Sequence, residues 1–191
     1  MVQCDPGSSS RMIDADCDCH LLIEDCSVET QYGTAVKCVF QVLAASDASQ
    51  KGKQVSEFFP CEGKAVDKLY NLAEAAGIIT AEQRKAAADA GLGLDIDESL
   101  FKGRQICASV KMEPNMTKNE ATGKYEPDKE KPGPYPRIGF RTFSVHSPKA
   151  IRIPKDKQFL GMLTQQAGGP ATQQQPPAAA APAAGNAGMD W

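Results

Sequence analysis

Between Thr34 and Leu43 the side chains alternate: Val36, Cys38, Phe40 and Val42 fall on one side of an extended backbone, and Lys37 and Gln41 on the other. A period of two over this length describes a strand with one face in a core and one in water, which needs antiparallel partners. Residues 20–30, with the run His20-Leu21-Leu22-Ile23, supply one partner across the turn at Gln31-Tyr32-Gly33. Residues 53–60 supply another after the polar stretch 46–52. Phe58 and Phe59 are neighbours at the end of that third strand, so one faces in and the other out.

The period then changes. Ala65, Val66, Leu69, Leu72, Ala73 and Ala76 recur at three and four residues before Gly77, which predicts an amphipathic helix over 62–76. Thr80-Ala81-Glu82-Gln83 has the form of a capping box and opens a second helix that runs to Ala90, before Gly91 and Gly93. An acidic turn over 95–100 leads to a fourth strand, 105–112. There Ile106, Ala108, Val110 and Met112 share one side, and Gln105, Ser109 and Lys111 the other. A charged, Pro-rich loop precedes a fifth strand over 137–146.

The apolar residues bunch between Cys17 and Leu163, enough for one core, and the expected organisation has three parts. Residues 1–12 form a flexible leader, 13–163 the folded domain, and 164–191 a disordered tail ending in Met189-Asp190-Trp191. From 165 to 191 nine of 27 residues are Ala, five Gln, four Pro and four Gly, with no Lys or Arg, a composition that cannot offset its own ordering entropy. The fold class is therefore mainly β with inserted helices.

The net charge of −3 hides a basic segment: residues 101–157 hold 13 Lys and Arg against six Asp and Glu. A protein need be basic only where it meets a polyanion. The seven cysteines are odd in number and fall within strand-like patterns, so buried thiols are expected. The cluster Cys17, Cys19, His20 and Cys26 lacks the paired spacing of a zinc knuckle, and a strand there puts Cys17 and Cys19 on one face. No metal or cofactor is expected. The longest uncharged apolar runs are too short for a bilayer and the amino end lacks the order of a secretory signal, so a soluble cytoplasmic protein is expected.

Three strands, a helix, then two more strands is the element order of a five-stranded oligonucleotide-binding (OB) barrel. Residues 20–145 also resemble a family of small bacteriophage replication and recombination proteins. The likeness rests on Lys51-Gly52-Lys53, Gly63-Lys64-Ala65-Val66-Asp67-Lys68-Leu69, Gly77-Ile78-Ile79 and Leu100-Phe101-Lys102-Gly103-Arg104. It implies a five-stranded antiparallel OB-like barrel, helix between strands three and four, that binds single-stranded DNA. The tail resembles the linker and tip of bacterial single-stranded DNA-binding proteins. That likeness implies that Asp190 and Trp191 recruit replication or recombination partners.

Binding a single strand without sequence preference takes cations for phosphates and aromatic faces for bases. The fifth strand offers both. Strict alternation puts Arg137, Gly139, Arg141 and Phe143 on the DNA face, beside Tyr135, and turns Ile138, Phe140 and Thr142 toward the core. Lys37 and Lys111 extend that polar face, and Lys51, Lys53, Lys102 and Arg104 lie in flanking turns. Tyr125, in the long loop, is a further candidate to close over the strand. Neither His20 nor His146 sits in a nucleophile elbow, a zinc-protease helix or a phosphate loop, so the chain reads as a binding module and not an enzyme. The alternative is a structural or adaptor protein without nucleic-acid binding. An exposed strand edge leaves homo-oligomers open.

Overall fold

Val36, Cys38, Phe40 and Val42 all point into the core, as their alternation requires. They belong to β2 (Ala35–Ala45), which pairs antiparallel with β1 (Cys17–Glu29) and β3 (Gln54–Pro60). The structure is a computed structural model that describes residues 11–30, 33–118, 123–131 and 133–166. β4 (Gln105–Glu113) joins the free side of β1, and β7 (Tyr135–Ser144) joins β4, giving one five-stranded antiparallel sheet in the order β3-β2-β1-β4-β7. The charged loop between β4 and β7 carries a small hairpin of its own, β5 (Met116–Lys118) and β6 (Tyr125–Pro127).

The turns at Gly52 and Gly103 are glycine for a backbone reason. Both adopt positive φ, +82° and +80°, where an L side chain is strained. Their amides donate to the carbonyls of Val42 and Ile23, each at 2.8 Å, the first within the β2–β3 connection and the second fastening its turn to β1.

The helix expected over 62–76 is a 3-10 turn, Gly63–Ala65, followed by α1 (Val66–Ala75). Its Leu69, Leu72, Ala73 and Ala75 fill the hollow of the curled sheet, against Phe40, Phe59, Ile106 and Ile138. Phe59 is fully buried, 6.1 Å from the Phe40 ring centre, whereas Phe58 is 44% exposed on the other face. α2 (Ala81–Asp89) forms with the expected capping box but buries no residue. Arg84 holds it to α1, reaching Asn71 and Asp67 at 2.8 and 2.7 Å. The cysteines of the described residues are free thiols. Cys17 and Cys19 face the core together, with sulfurs 3.2 Å apart.

One expectation needs correction. The barrel is not closed: among the described residues no ladder joins β3 to β7. A side chain spans the gap instead. Glu57 on β3, 3% exposed, accepts the Ile138 amide of β7 at 2.9 Å, and Lys68 of α1 and Arg137 of β7 lie 3.3 and 3.7 Å from its carboxylate. Arg11 accepts the amide of Gln54 and Met12 bridges to the same residue, which extends β3's edge; residues 1–10 of the expected leader lie outside the described residues.

α3 (Lys157–Gln166) spans residue 164, the expected start of the tail, and the rest of that segment lies outside the described residues. Asp156 caps the helix by accepting the amide of Gln158 at 3.0 Å. Among the described residues no helix is long and apolar enough to cross a membrane.

Glu57→Ala strands the Ile138 amide and takes the buried partner from Lys68. It is expected to cost roughly 3 kcal/mol, the low end for breaking a buried pair, because Lys68 can turn toward water. Glu57→Gln, which keeps an acceptor for the amide, should cost less. Urea unfolding of the two variants measures the difference.

Candidate nucleic-acid interface

The outward face of the sheet divides into a covered half and an open half. After β7 the chain folds back over the middle of β1 and β4, where Cys107, Val145, Ala150 and Ile153 make a second small core with Phe143 and Leu160. Gln105, expected on a polar surface, is buried there with His20. The backbone amide of Asp156 donates to His20 Nδ1 at 3.1 Å. That bond leaves the proton on Nε2, 2.9 Å from the Gln105 carbonyl oxygen. Gln105 in turn donates to the Phe159 carbonyl at 3.1 Å.

What stays open is the outer face of β2 and β3 and the seam between β3 and β7. Lys37 stands directly opposite Phe58 in the ladder, its ammonium 5.8 Å from the ring centre and 4.0 Å from Glu29. Both line a groove of about 570 Å³ together with Pro60 and Glu62. Across the seam, Ser56 of β3 and Tyr135 and Arg137 of β7 line a second groove of about 390 Å³ with Lys131. Lys111 is the cross-strand partner of Arg137 on the same outward face.

The strict alternation expected for the fifth strand fails in the middle of β7. Ala108 pairs with Thr142 and Val110 with Ile138, so two steps along β4 span four along β7. The surplus residues form a bulge at Gly139, Phe140 and Arg141. Phe140, expected in the core, is 51% exposed, and its carbonyl accepts the Asn71 amide of α1 at 3.2 Å. Phe143, expected on the DNA face, is half-buried against the second core. A Cβ at Gly139 would meet only the Ser109 carbonyl at 3.6 Å, an ordinary contact, so packing does not demand glycine there.

Between the bulge and α1 lies a third, wider groove of about 980 Å³, lined by Asn71, Glu74, Phe140, Arg141, Phe143 and Lys149 among others. Thr142 lines it too, and its hydroxyl is buried with no hydrogen-bond partner. Such a group costs about 1–3 kcal/mol.

The cations expected to contact phosphate do not form one set. Tyr135, Arg137 and Lys111 meet at the seam, Lys37 lies beside it, and Arg141 and Phe143 border the third groove. Lys102 and Arg104 stand at the central strand β1, on the far side of the curled sheet from the seam, with Lys102 3.7 Å from Asp25 and the Arg104 side chain on the Leu100 carbonyl. Lys51 and Lys53, in the β2–β3 turn, reach Asp156 and Asp14, each at 2.8 Å. Lys111 reaches Asp16 at 2.9 Å. These ammonium groups hold the carboxyls of Asp14 and Asp156 below the usual carboxylate value, and the Met112 amide and Lys111 do the same for Asp16.

The Lys111–Asp16 pair is exposed on both sides and so weakly held against competing ions, whereas the side chains of Asp156 and Lys53 are largely buried and their pairs belong to the packing. By contrast, Arg141 and Lys149 have no carboxylate partner among the described residues.

Sequence reasoning did not put Lys149 among the candidate residues, did not settle that Phe58 is the outward ring, and did not expect Phe140 at the surface. The adjacent pair Phe58-Phe59 carried a signal for the second of these; nothing local announced the bulge. Asp190 and Trp191 lie outside the described residues. Among the described residues no group of three or more His, Cys, Asp or Glu is placed to hold a metal ion. No protein-family model matches the chain, and no curated protein matches it in sequence.

The extent of the open face depends on the His20 clamp. Burial holds the His20 imidazole below its ordinary value of 6.5. The unfolded chain therefore binds a proton below that pH that the folded chain refuses, and stability falls as the solution is acidified through this window. Urea unfolding at pH 7.5 and 5.5 should show this loss, with a smaller drop in His20→Gln. The lowered carboxylates titrate further into acid and do not enter this range.

Proposed function

We propose that this protein binds single-stranded DNA without sequence preference, protecting it during replication or recombination. The observation that carries this function is the meeting of cations and ring faces on one open surface: Lys37 over Phe58 on β2 and β3, and Arg137 with Tyr135 across the seam. Rings stack bases and the cations take the phosphates between them. The sheet order, with β1 central and β3 and β7 at the two edges, supports an OB-type barrel unzipped between its third and fifth long strands. In that fold the face of strands two and three and the neighbouring loops take the oligonucleotide. The 68%-exposed Tyr125 on the β5–β6 hairpin belongs to such a loop.

Binding is non-catalytic in this proposal, and the tip at Asp190 and Trp191 recruits replication or recombination proteins. The surface of Lys37 and Phe58 serves equally well for a protein contact if the chain is an adaptor, and the same titration separates the two.

Fluorescence anisotropy with a labelled oligo-dT across a salt series is the test. Four neutralised phosphates give a log–log slope of about −2.8. Phe58→Ala with Lys37→Ala removes one stacked base and one cation, and is expected to weaken binding by about 5- to 150-fold, the ~1–3 kcal/mol of one stacking contact. Its melting temperature should hold, since Phe58 is half in water and Lys37 is partly exposed. An adaptor gives no salt-sensitive, length-dependent signal. RNA competition reads the preference between the two polymers.

A further inference from the structure

We propose that the groove between α1 and the β7 bulge is a second nucleotide subsite, through which a strand held at the β3–β7 seam continues. The proposal rests on the single-strand-binding function above. Three independent features of the groove point to a ligand. Arg141 and Lys149 are its cations, and among the described residues neither has an ionic partner, unlike Lys51, Lys53, Lys102 and Lys111. Phe140 presents half its surface to water, beside the half-buried Phe143. The Thr142 hydroxyl lies in the wall, buried and unpartnered, where a hydrogen-bonding ligand would relieve it.

A phosphodiester with a base attached satisfies all three: its oxygens take the Arg141 guanidinium and the Lys149 ammonium, Thr142 has an acceptor to meet, and the base has the Phe140 ring. An acidic peptide would answer the cations but leave the ring unused. A purely apolar ligand would bury the cations and the hydroxyl without partners. Glu74 also lines the groove, and its carboxylate is engaged by Arg84 at 3.3 Å.

Continuity with the seam follows from chain geometry. Arg137 and Tyr135 at the seam and Phe140 and Arg141 at the groove are successive residues of β7, and the bulge turns the latter pair toward α1. A strand tracking β7 therefore meets the seam cations and then the groove cations in order.

Anisotropy with oligo-dT from about 6 to about 24 nucleotides brackets the ~4–16 nucleotides that one OB fold covers. The wild-type chain is expected to gain about tenfold or more in affinity from the short to the long strands. Arg141→Ala with Lys149→Ala should lose most of that gain and keep the short-strand affinity, whereas Lys37→Ala with Phe58→Ala should weaken every length. Thr142→Val, which removes the unpartnered hydroxyl and keeps the shape, should melt higher than wild type yet lose part of the length gain. If the Arg141/Lys149 variant follows the wild-type length profile while the Lys37/Phe58 variant weakens, the subsite is overturned and strand binding stands. If wild type binds no oligonucleotide, both fall. Arg141-dependent binding of dTMP with no length effect overturns the continuous path in favour of an isolated mononucleotide pocket.

Discussion

The carboxylate of Glu57 decides the shape of this molecule. A five-stranded sheet curled around one helix has two raw edges, β3 and β7, and an edge amide facing the interior must find an acceptor. Backbone pairing is the usual solution and closes a barrel. Here Ile138 donates to a side chain instead, and the charge brought inside is answered by Lys68 from the helix and by Arg137 from the opposite edge. One residue thus joins both edges and the helix that fills the hollow. The seam stays open enough for Ser56, Tyr135 and Arg137 to line a groove, and β7 is free to bulge beyond it.

A second constraint comes from the chain after β7. By folding over β1 and β4 it buries His20, Gln105 and Cys107 on what a two-layer sequence pattern marks as the solvent side. Asp156 fastens this cover three times, through its amide to His20, its carboxylate to the first turn of α3, and its carboxylate to Lys51. The cover restricts any extended ligand to the outer faces of β2 and β3, the seam and the bulge groove. It also explains part of the charge pattern. Asp14, Asp16 and Asp156, from distant segments, each hold a lysine, whereas Arg141 on β7 and Lys149 just beyond it have no carboxylate partner among the described residues.

Local rules account well for the parts of the fold that local rules govern. The alternation of Val36 to Val42 located β2 and its inward face, the three-four spacing of Leu69 and Leu72 located α1, and Thr80 with Gln83 formed the capping box they spell. Phe58 and Phe59 divided between water and core as neighbours on a strand must. The same rule misassigned Phe140, because alternation holds only while the register holds, and the surplus residues of β7 break it. In the candidate site, Tyr135, Arg137 and Arg141 could be named in advance, since their strand was legible; Lys149 could not.

The sequence by itself determined the five long strands, the helix between the third and fourth of them, and which residue types face inward where the register is regular. Those properties follow from periods of two and 3.6, which are written in neighbours. Only the tertiary structure decided that the sheet stays open and is tied by Glu57, that the middle of the outer face of β1 and β4 is buried, and which lysines keep a free charge. The first two depend on residues 81 and 136 positions apart, Glu57 with Ile138 and His20 with Asp156, whose encounter no local period records.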